Sequence, residues 1–299
     1  VTSRETRTKQ NSQSKKPSSS FPLITAPVEE GNPKTTTLYA RLLSPTDKVV
    51  VGYLSVVAFL VIISMPNIKY WWLVILGHVG VALLLVALSR TGTGRVTRFV
   101  RSWYPLLLVP ITYKELTYLI PLIHPRDYDW ELAAIDYRMF GTHPTVWLER
   151  FNDPVLTELL QISYITYYFM PLVLGVALWR KQRFDRFHFA LFVIVLGFYL
   201  SYLGYIAVPA IGPRFILADQ QSIPLTGIWS FSWIHTTLNR AEGITRDCFP
   251  SGHTELTVLA LYYSQRYGLR AFWWLLPCGI ALIISTVYLR YHYVIDVVA

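Results

Sequence analysis

Two histidines, two arginines and one aspartate stand in short clusters at the ends of long apolar runs. The clusters are Gly212-Pro213-Arg214, Pro250-Ser251-Gly252-His253 and Arg290-Tyr291-His292-Tyr293-Val294-Ile295-Asp296. His292 and Asp296 are four residues apart, which on a helix puts them on one face, one turn apart. A carboxylate there takes a proton from one imidazole nitrogen and leaves the other free as nucleophile or base. Ser251 is a good N-cap, and the unsatisfied amides of a first helical turn attract anions such as phosphate. Gly252 lets a ligand approach the backbone. His253 then stands beside the anion, placed to give or take a proton. Arg214 and Arg290 offer planar forks matched to phosphate oxygens, although either is also compatible with an arginine snorkelling at a lipid interface. In-line displacement at phosphorus requires such a set: cations for the equatorial oxygens, a nucleophile, and an acid for the leaving oxygen.

The elements that must position these groups are membrane helices. Hydrophobic residues make up 53% of the 299 and charged residues only 15%, with ten Trp and twenty Tyr to serve as interfacial belts. Apolar runs of spanning length lie near 49–65, 71–89, 103–123, 155–179, 188–209, 254–267 and 271–289, and an eighth begins near 291 and is cut off at Ala299. The expected fold is an all-α polytopic transmembrane bundle. Residues 1–47, rich in Ser, Thr, Lys and Pro, read as a disordered basic tail. The net charge of +9 belongs to short connections rather than to a nucleic-acid-binding stripe. Lys and Arg concentrate in the tail and in the second-to-third, fourth-to-fifth and sixth-to-seventh connections (Arg90, Arg95, Arg98 and Arg101; Arg180, Lys181, Arg183 and Arg186; Arg266 and Arg270). That bias puts the N-terminus in the cytoplasm and the connections 124–154 and 210–253, with all three clusters, on the other face. Within 124–154, Trp130, Leu132, Ile135, Met139 and Phe140 interleave with Asp129, Glu131, Asp136 and Arg138, the pattern of an amphipathic helix lying on the surface as a cap or a lid.

Pro250-Ser251-Gly252-His253 and the stretch from Ser285 through His292 to Asp296 resemble the second and third motifs of the type 2 phosphatidic acid phosphatase superfamily. The run Tyr288-Leu289-Arg290-Tyr291-His292-Tyr293, with Gly212-Pro213-Arg214, resembles its inositol phosphorylceramide synthase-like, inositolphosphotransferase branch. The resemblance covers roughly 100–299. It implies a six-helix phosphatase-type core there, two extra N-terminal spans in 48–99, and a truncated last helix. It also implies roles. His292 attacks phosphorus and becomes a phosphohistidine, Asp296 orients it, and His253 protonates the leaving oxygen and then activates water or an acceptor alcohol. Ser251, Gly252, Arg214 and Arg290 hold the phosphate, and no metal or cofactor is expected. Two positions depart from the superfamily pattern: Ala207 stands where the first motif has Lys, and Thr286 where the third has Arg, with Arg290 one turn further on.

Cys248 and Cys278 show no CxxC or zinc-type spacing, and a disulfide between them is not expected. The expected partners are a membrane lipid substrate and the bilayer, and the site is periplasmic or extracellular in a bacterium (with the protein in the plasma membrane) and luminal in a eukaryote. Hydrolysis and transfer share every residue named, although Tyr164, Tyr167 and Tyr168 could line an acceptor pocket. Two other readings stay open: a transporter using the intramembrane charges Lys114, Glu115 and Glu158, and an inactive scaffold of the same fold.

Overall fold

The computed structural model describes residues 43–91, 94–242 and 246–299, and all regular structure among them is helical. Most of the expected tail lies outside the described residues, and its last part is already structured. Helix α1 (Pro45–Ile63) starts on a reciprocal capping box in which the Asp47 amide donates to Ser44 Oγ (3.1 Å) and the Ser44 amide to Asp47 Oδ2 (2.8 Å). Helices α2 (Trp71–Arg90), α3 (Arg95–Ile123) and α8 (Phe184–Ala207) are long and apolar enough to cross a bilayer, as is α1.

The expected span 155–179 is broken. Helix α6 (Pro154–Ile165) ends in a 3-10 turn at Thr166–Tyr168, and α7 (Met170–Arg180) leaves it at 49°. Pro171 explains part of the break, because it has no amide to carry the helical ladder across. Helices α11 (Gly252–Arg266) and α12 (Phe272–Tyr288) are short for spans. The 15 residues of α11 give about 22 Å, against a hydrocarbon thickness of roughly 30 Å. α11 packs on α7, α8 and α12.

The connecting elements gather at one end. They are the surface helix α4 (Asp129–Phe140), the short α5 (Pro144–Trp147) and α9 (Pro213–Ile216), the amphipathic α10 (Phe231–Glu242), and α13 (Val294–Val298), the start of the expected eighth helix. The α1–α2 hairpin packs on α8: Tyr53 stacks on Tyr199 with ring centroids 4.1 Å apart, and Val50, Val57 and Val61 are fully buried. One buried cluster runs from Val50 through Tyr199 to Leu256, joining the hairpin to the helix that carries His253.

The charges that favoured a transporter have local partners. Glu115 meets His78 Nε2 at 2.9 Å across α2 and α3, while His78 Nδ1 meets Leu54 O at 3.1 Å. Buried Glu158 on α6 caps the start of α10: it accepts from the amides of Ile228, Trp229, Ser230 and Phe231 and from the Ser230 hydroxyl.

Candidate active site

Three turns meet at the connecting end, stitched by main-chain bonds: Arg214 N to Arg290 O (3.1 Å), Cys248 N to Ala210 O (3.2 Å) and Ser251 N to Asp296 O (2.9 Å). Gly212 makes the first turn possible. Its φ is +97°, and a β-carbon there would lie 2.8 Å from Tyr291 O. The third turn folds back on α12, where Thr286 O accepts from the amides of both Tyr291 and His292 at 3.0 Å. The position that departs from the superfamily pattern thus anchors the histidine turn through its backbone.

Helix α4 clamps these turns. Asp129 accepts from the amides of Ile211 (2.9 Å) and Gly212 (2.8 Å) and from the Tyr293 hydroxyl (3.0 Å). Asp136 accepts from the first amides of α13, Val294 (2.8 Å) and Ile295 (2.9 Å). Both carboxylates are buried, and burial raises their pKa values against the lowering pull of those amides. Burial, and next Asp129, push the Tyr293 hydroxyl well up. The expected amphipathic helix is therefore present, and two of its acids face the turns. Asp129 and Asp136 point inward with Leu132 and Ala133, while Trp130, Ile135, Met139 and Phe140 are exposed. Orphan amides in the turns outcompete solvent for the carboxylates. Two acids seven residues apart flanking a Leu-Ala pair were the available signal.

The histidines come together. His292, 2% exposed, holds its Nδ1 2.7 Å from Cys248 O and 3.4 Å from Asp296 Oδ2, and its Nε2 faces His253 Nδ1 at 3.3 Å. The carbonyl contact assigns the proton to Nδ1 and leaves Nε2 with its lone pair. His253 Nδ1 then carries the proton between the rings. Asp296 accepts from the Tyr293 amide (2.7 Å) and the Cys248 thiol (3.0 Å), so it braces the turn as well as facing the histidine. Ser251 caps α11 through Thr254 N at 3.3 Å. A β-carbon on Gly252 would lie 2.5 Å from the Tyr205 hydroxyl, so this glycine already admits a neighbouring side chain.

An aromatic column fixes the ring planes. Tyr167 and Tyr164 flank His253 at centroid distances of 4.2 and 4.6 Å, Tyr164 stacks on Tyr291 at 4.5 Å, and the Arg214 guanidinium lies 4.9 Å from Tyr291 and 4.7 Å from Phe215. A small polar cavity lies among Tyr164, Arg214, Asp247, Cys248, His253 and His292. A second cavity, about 290 Å³ and mostly apolar, opens between α3, the α6–α7 break and α8 and reaches His253 and Asp247. Tyr167 and Tyr168 line this groove and Tyr164 the small cavity. Asp247, held by the Tyr113 hydroxyl at 2.6 Å, is a site residue that no sequence motif marked.

Arg290 is placed elsewhere. Its φ of +66° turns the side chain to Glu149 (2.9 Å), Gln221 (3.3 Å) and Ile223 O (2.6 Å), and it does not line the small cavity. Of the two expected arginines, the fold brings only Arg214 to the histidines. Cys248 Sγ, His292 Nδ1 and Asp296 Oδ2 lie within 3.0–3.8 Å of one another, donor types that suit a thiophilic cation and that no zinc-type spacing marks in the sequence. The same atoms are engaged with one another, and burial, then Asp296, push the Cys248 thiol well up, which favours its protonated form.

A PA-phosphatase related-family protein of Dictyostelium discoideum is 27% identical to the chain over 172 residues, covering 50% of this chain and 31% of the relative. The chain thus spans about a third of that curated relative's length. No solved structure matches. A family model described as the PAP2 superfamily matches residues 130–299, a stretch that begins in the clamping helix and contains the Arg214 turn and both histidine turns. That stretch is more than half of the chain, and the chain belongs to the PAP2 superfamily.

Proposed function

We propose that the protein is an integral-membrane phosphatase or phosphotransferase acting on lipid phosphate esters through a phosphohistidine on His292. The observation that carries this reading is the His292–His253 pair at 3.3 Å, set between Arg214 and the polar end of an apolar groove. A lipid's apolar chain occupies the groove between α3 and α8, and its phosphate enters the small cavity against Arg214. His292 Nε2 forms the N–P bond. The P–O bond to the alcohol breaks as His253, entering this step as the imidazolium, protonates the leaving oxygen and is left as the neutral imidazole. The second nucleophile, water or an acceptor alcohol, gives its proton to His253 as it attacks phosphorus, and the N–P bond breaks. Cys248 O and Asp296 hold the imidazolium side of His292, and Arg214 carries charge on the equatorial oxygens. The charge bias of the connections supports a site on the non-cytoplasmic face.

The test is phosphate release from phosphatidic acid by purified protein in detergent with EDTA present, alongside phosphatidylinositol with an alcohol acceptor. Wild type is expected to turn over at least one of them, with His292→Ala slower by at least about 1,000-fold. Brief incubation with a ³²P-labelled lipid should trap an acid-labile, alkali-stable label on wild type and none on the variant. Turnover that survives in His292→Ala would overturn the assignment.

A further inference from the structure

Cys248 and the pair His292 and Asp296 come from different turns and bring three ligand atoms to one point. Sγ to Oδ2 is 3.0 Å, Nδ1 to Oδ2 is 3.4 Å and Sγ to Nδ1 is 3.8 Å. Around a tetrahedral zinc ion, bonds of about 2.0–2.3 Å hold neighbouring sulfur, nitrogen and oxygen ligands roughly 3.3–3.6 Å apart. The observed separations bracket that range, so an ion enters with small side-chain shifts. All three residues are buried. Their mutual contacts use Asp296 unevenly. Oδ2 faces the Tyr293 amide, the Cys248 thiol and the His292 ring, whereas buried Oδ1 of the same carboxylate has no hydrogen-bond partner among the described residues. A buried acceptor left this way is costly unless a further ligand reaches it. Carboxylates also bear on the sulfur, Asp296 first and then Asp129 and Asp247, and they favour a cation there. Cys248 and His292 both line the small cavity, whose free volume of about 20 Å³ holds one ion or one water and gives a path in.

We propose that Cys248, His292 and Asp296 form an inhibitory site for a thiophilic divalent cation such as zinc or cadmium. Cys248 Sγ, His292 Nδ1 and the Asp296 carboxylate are the protein ligands, and water from the small cavity takes the fourth position. The metal–sulfur bond forms as the thiol proton leaves to solvent. A divalent ion with one thiolate, one carboxylate and one neutral imidazole is uncharged overall, which suits a buried site. The metal takes the Nδ1 lone pair, so the imidazole proton moves from Nδ1 to Nε2 and the contact with Cys248 O is given up. Nε2 then has no lone pair for phosphorus. The mutual contacts of the three side chains are the metal-free, active arrangement. The binding site stands on its own geometry, and its inhibitory effect rests on the reading of the histidine site proposed above.

The test uses the full chain carrying Cys278→Ser, which leaves Cys248 of the two cysteines, purified without chelator. Titration with cadmium should raise a thiolate-to-metal charge-transfer band that saturates at one equivalent, and zinc should displace it. Cys248→Ser should remove the band. His292→Gln should weaken cadmium binding at least about tenfold, the scale of losing even an outer partner of a ligand. X-ray absorption of the zinc-loaded parent, which needs no further substitution, should show one sulfur at about 2.3 Å among nitrogen and oxygen ligands. Saturating zinc should lower lipid turnover at least about 100-fold, the scale of a lost catalytic group, and EDTA should restore it. Whatever turnover Cys248→Ser retains should be insensitive to zinc. No charge-transfer band in the parent, a band that persists in Cys248→Ser, or a zinc shell without sulfur would overturn the site. Binding with undiminished turnover would overturn the inhibition. Absence of turnover with and without zinc, with the sulfur-bound ion in place, would overturn only the histidine reading.

Discussion

The α1–α2 hairpin and the turns around His292 are held by different kinds of force. The hairpin consists of helices that satisfy their own backbone, and it needs only side chains that fit: Val57 against its neighbours and Tyr53 flat on Tyr199. In lipid such contacts gain dispersion energy rather than hydrophobic transfer, because lipid tails are as apolar as the helices. The histidine turns are short, irregular and buried, so several of their amides are left outside any helical ladder. Carboxylates supply them: Asp129 for the arginine turn, Asp136 and Asp296 for the histidine turn, and Glu158 for the start of α10. Helices tolerate imperfect fit, whereas turns that carry chemistry need each donor answered.

The sharpest way to break this contrast is Asp129→Ala. It orphans two buried amides and the Tyr293 hydroxyl, at a cost of about 3 kcal/mol. Phosphate release should fall by roughly 100-fold, because the arginine turn shifts relative to the histidines. Denaturation and activity measured on the same preparation check both. Unaltered activity would mean that the turns hold themselves.

Most of the bundle was legible because membrane helices must satisfy their own backbone, and an apolar run of sufficient length has few alternatives. His253, His292, Asp296 and Arg214 were legible because short spacing put each beside a helix end. The rest depends on partners distant in sequence. Asp129 meets Gly212, and Cys248 O meets His292, across separations with no period to read. Arg290 was misplaced because its distance from Thr286 was counted along a continuous helix. The helix ends at Tyr288, and the left-handed turn at Arg290 carries the side chain to Glu149.

Glu158→Gln tests the same contrast more gently. The amide keeps one acceptor oxygen for the start of α10 but presents an NH₂ group where backbone donors already point. The segment Ile228–Phe231 should become more sensitive to protease, with activity reduced by no more than about tenfold, the scale of a lost helix cap. Loss of all activity here, with His292→Ala unaffected, would revive a carrier mechanism built on intramembrane charge. At the hairpin, Val57→Ala should cost about 1–2 kcal/mol through the cavity it leaves. It should lower the unfolding midpoint without changing kcat/KM, and a parallel loss of activity would show that the hairpin positions the site.

The smallest effect is a difference between native and denatured thiol chemistry. Cys248 is 3% exposed, and its thiol donates to Asp296 at 3.0 Å. Burial and that carboxylate hold its pKa well above the usual thiol value, so its thiolate is scarce. Each unit of such a shift lowers the reactive fraction about tenfold. Maleimide applied to native protein near neutral pH should leave Cys248 unmodified over hours, and the same reagent should modify it within minutes after denaturation. Mass spectrometry of the peptide containing Cys248 reads both states. Rapid labelling in the native protein would mean that the Cys248 turn opens to solvent at equilibrium. The carbonyl that holds His292 Nδ1 would then be mobile, and the rigid, carboxylate-braced site would have to give way to one assembled by its substrate.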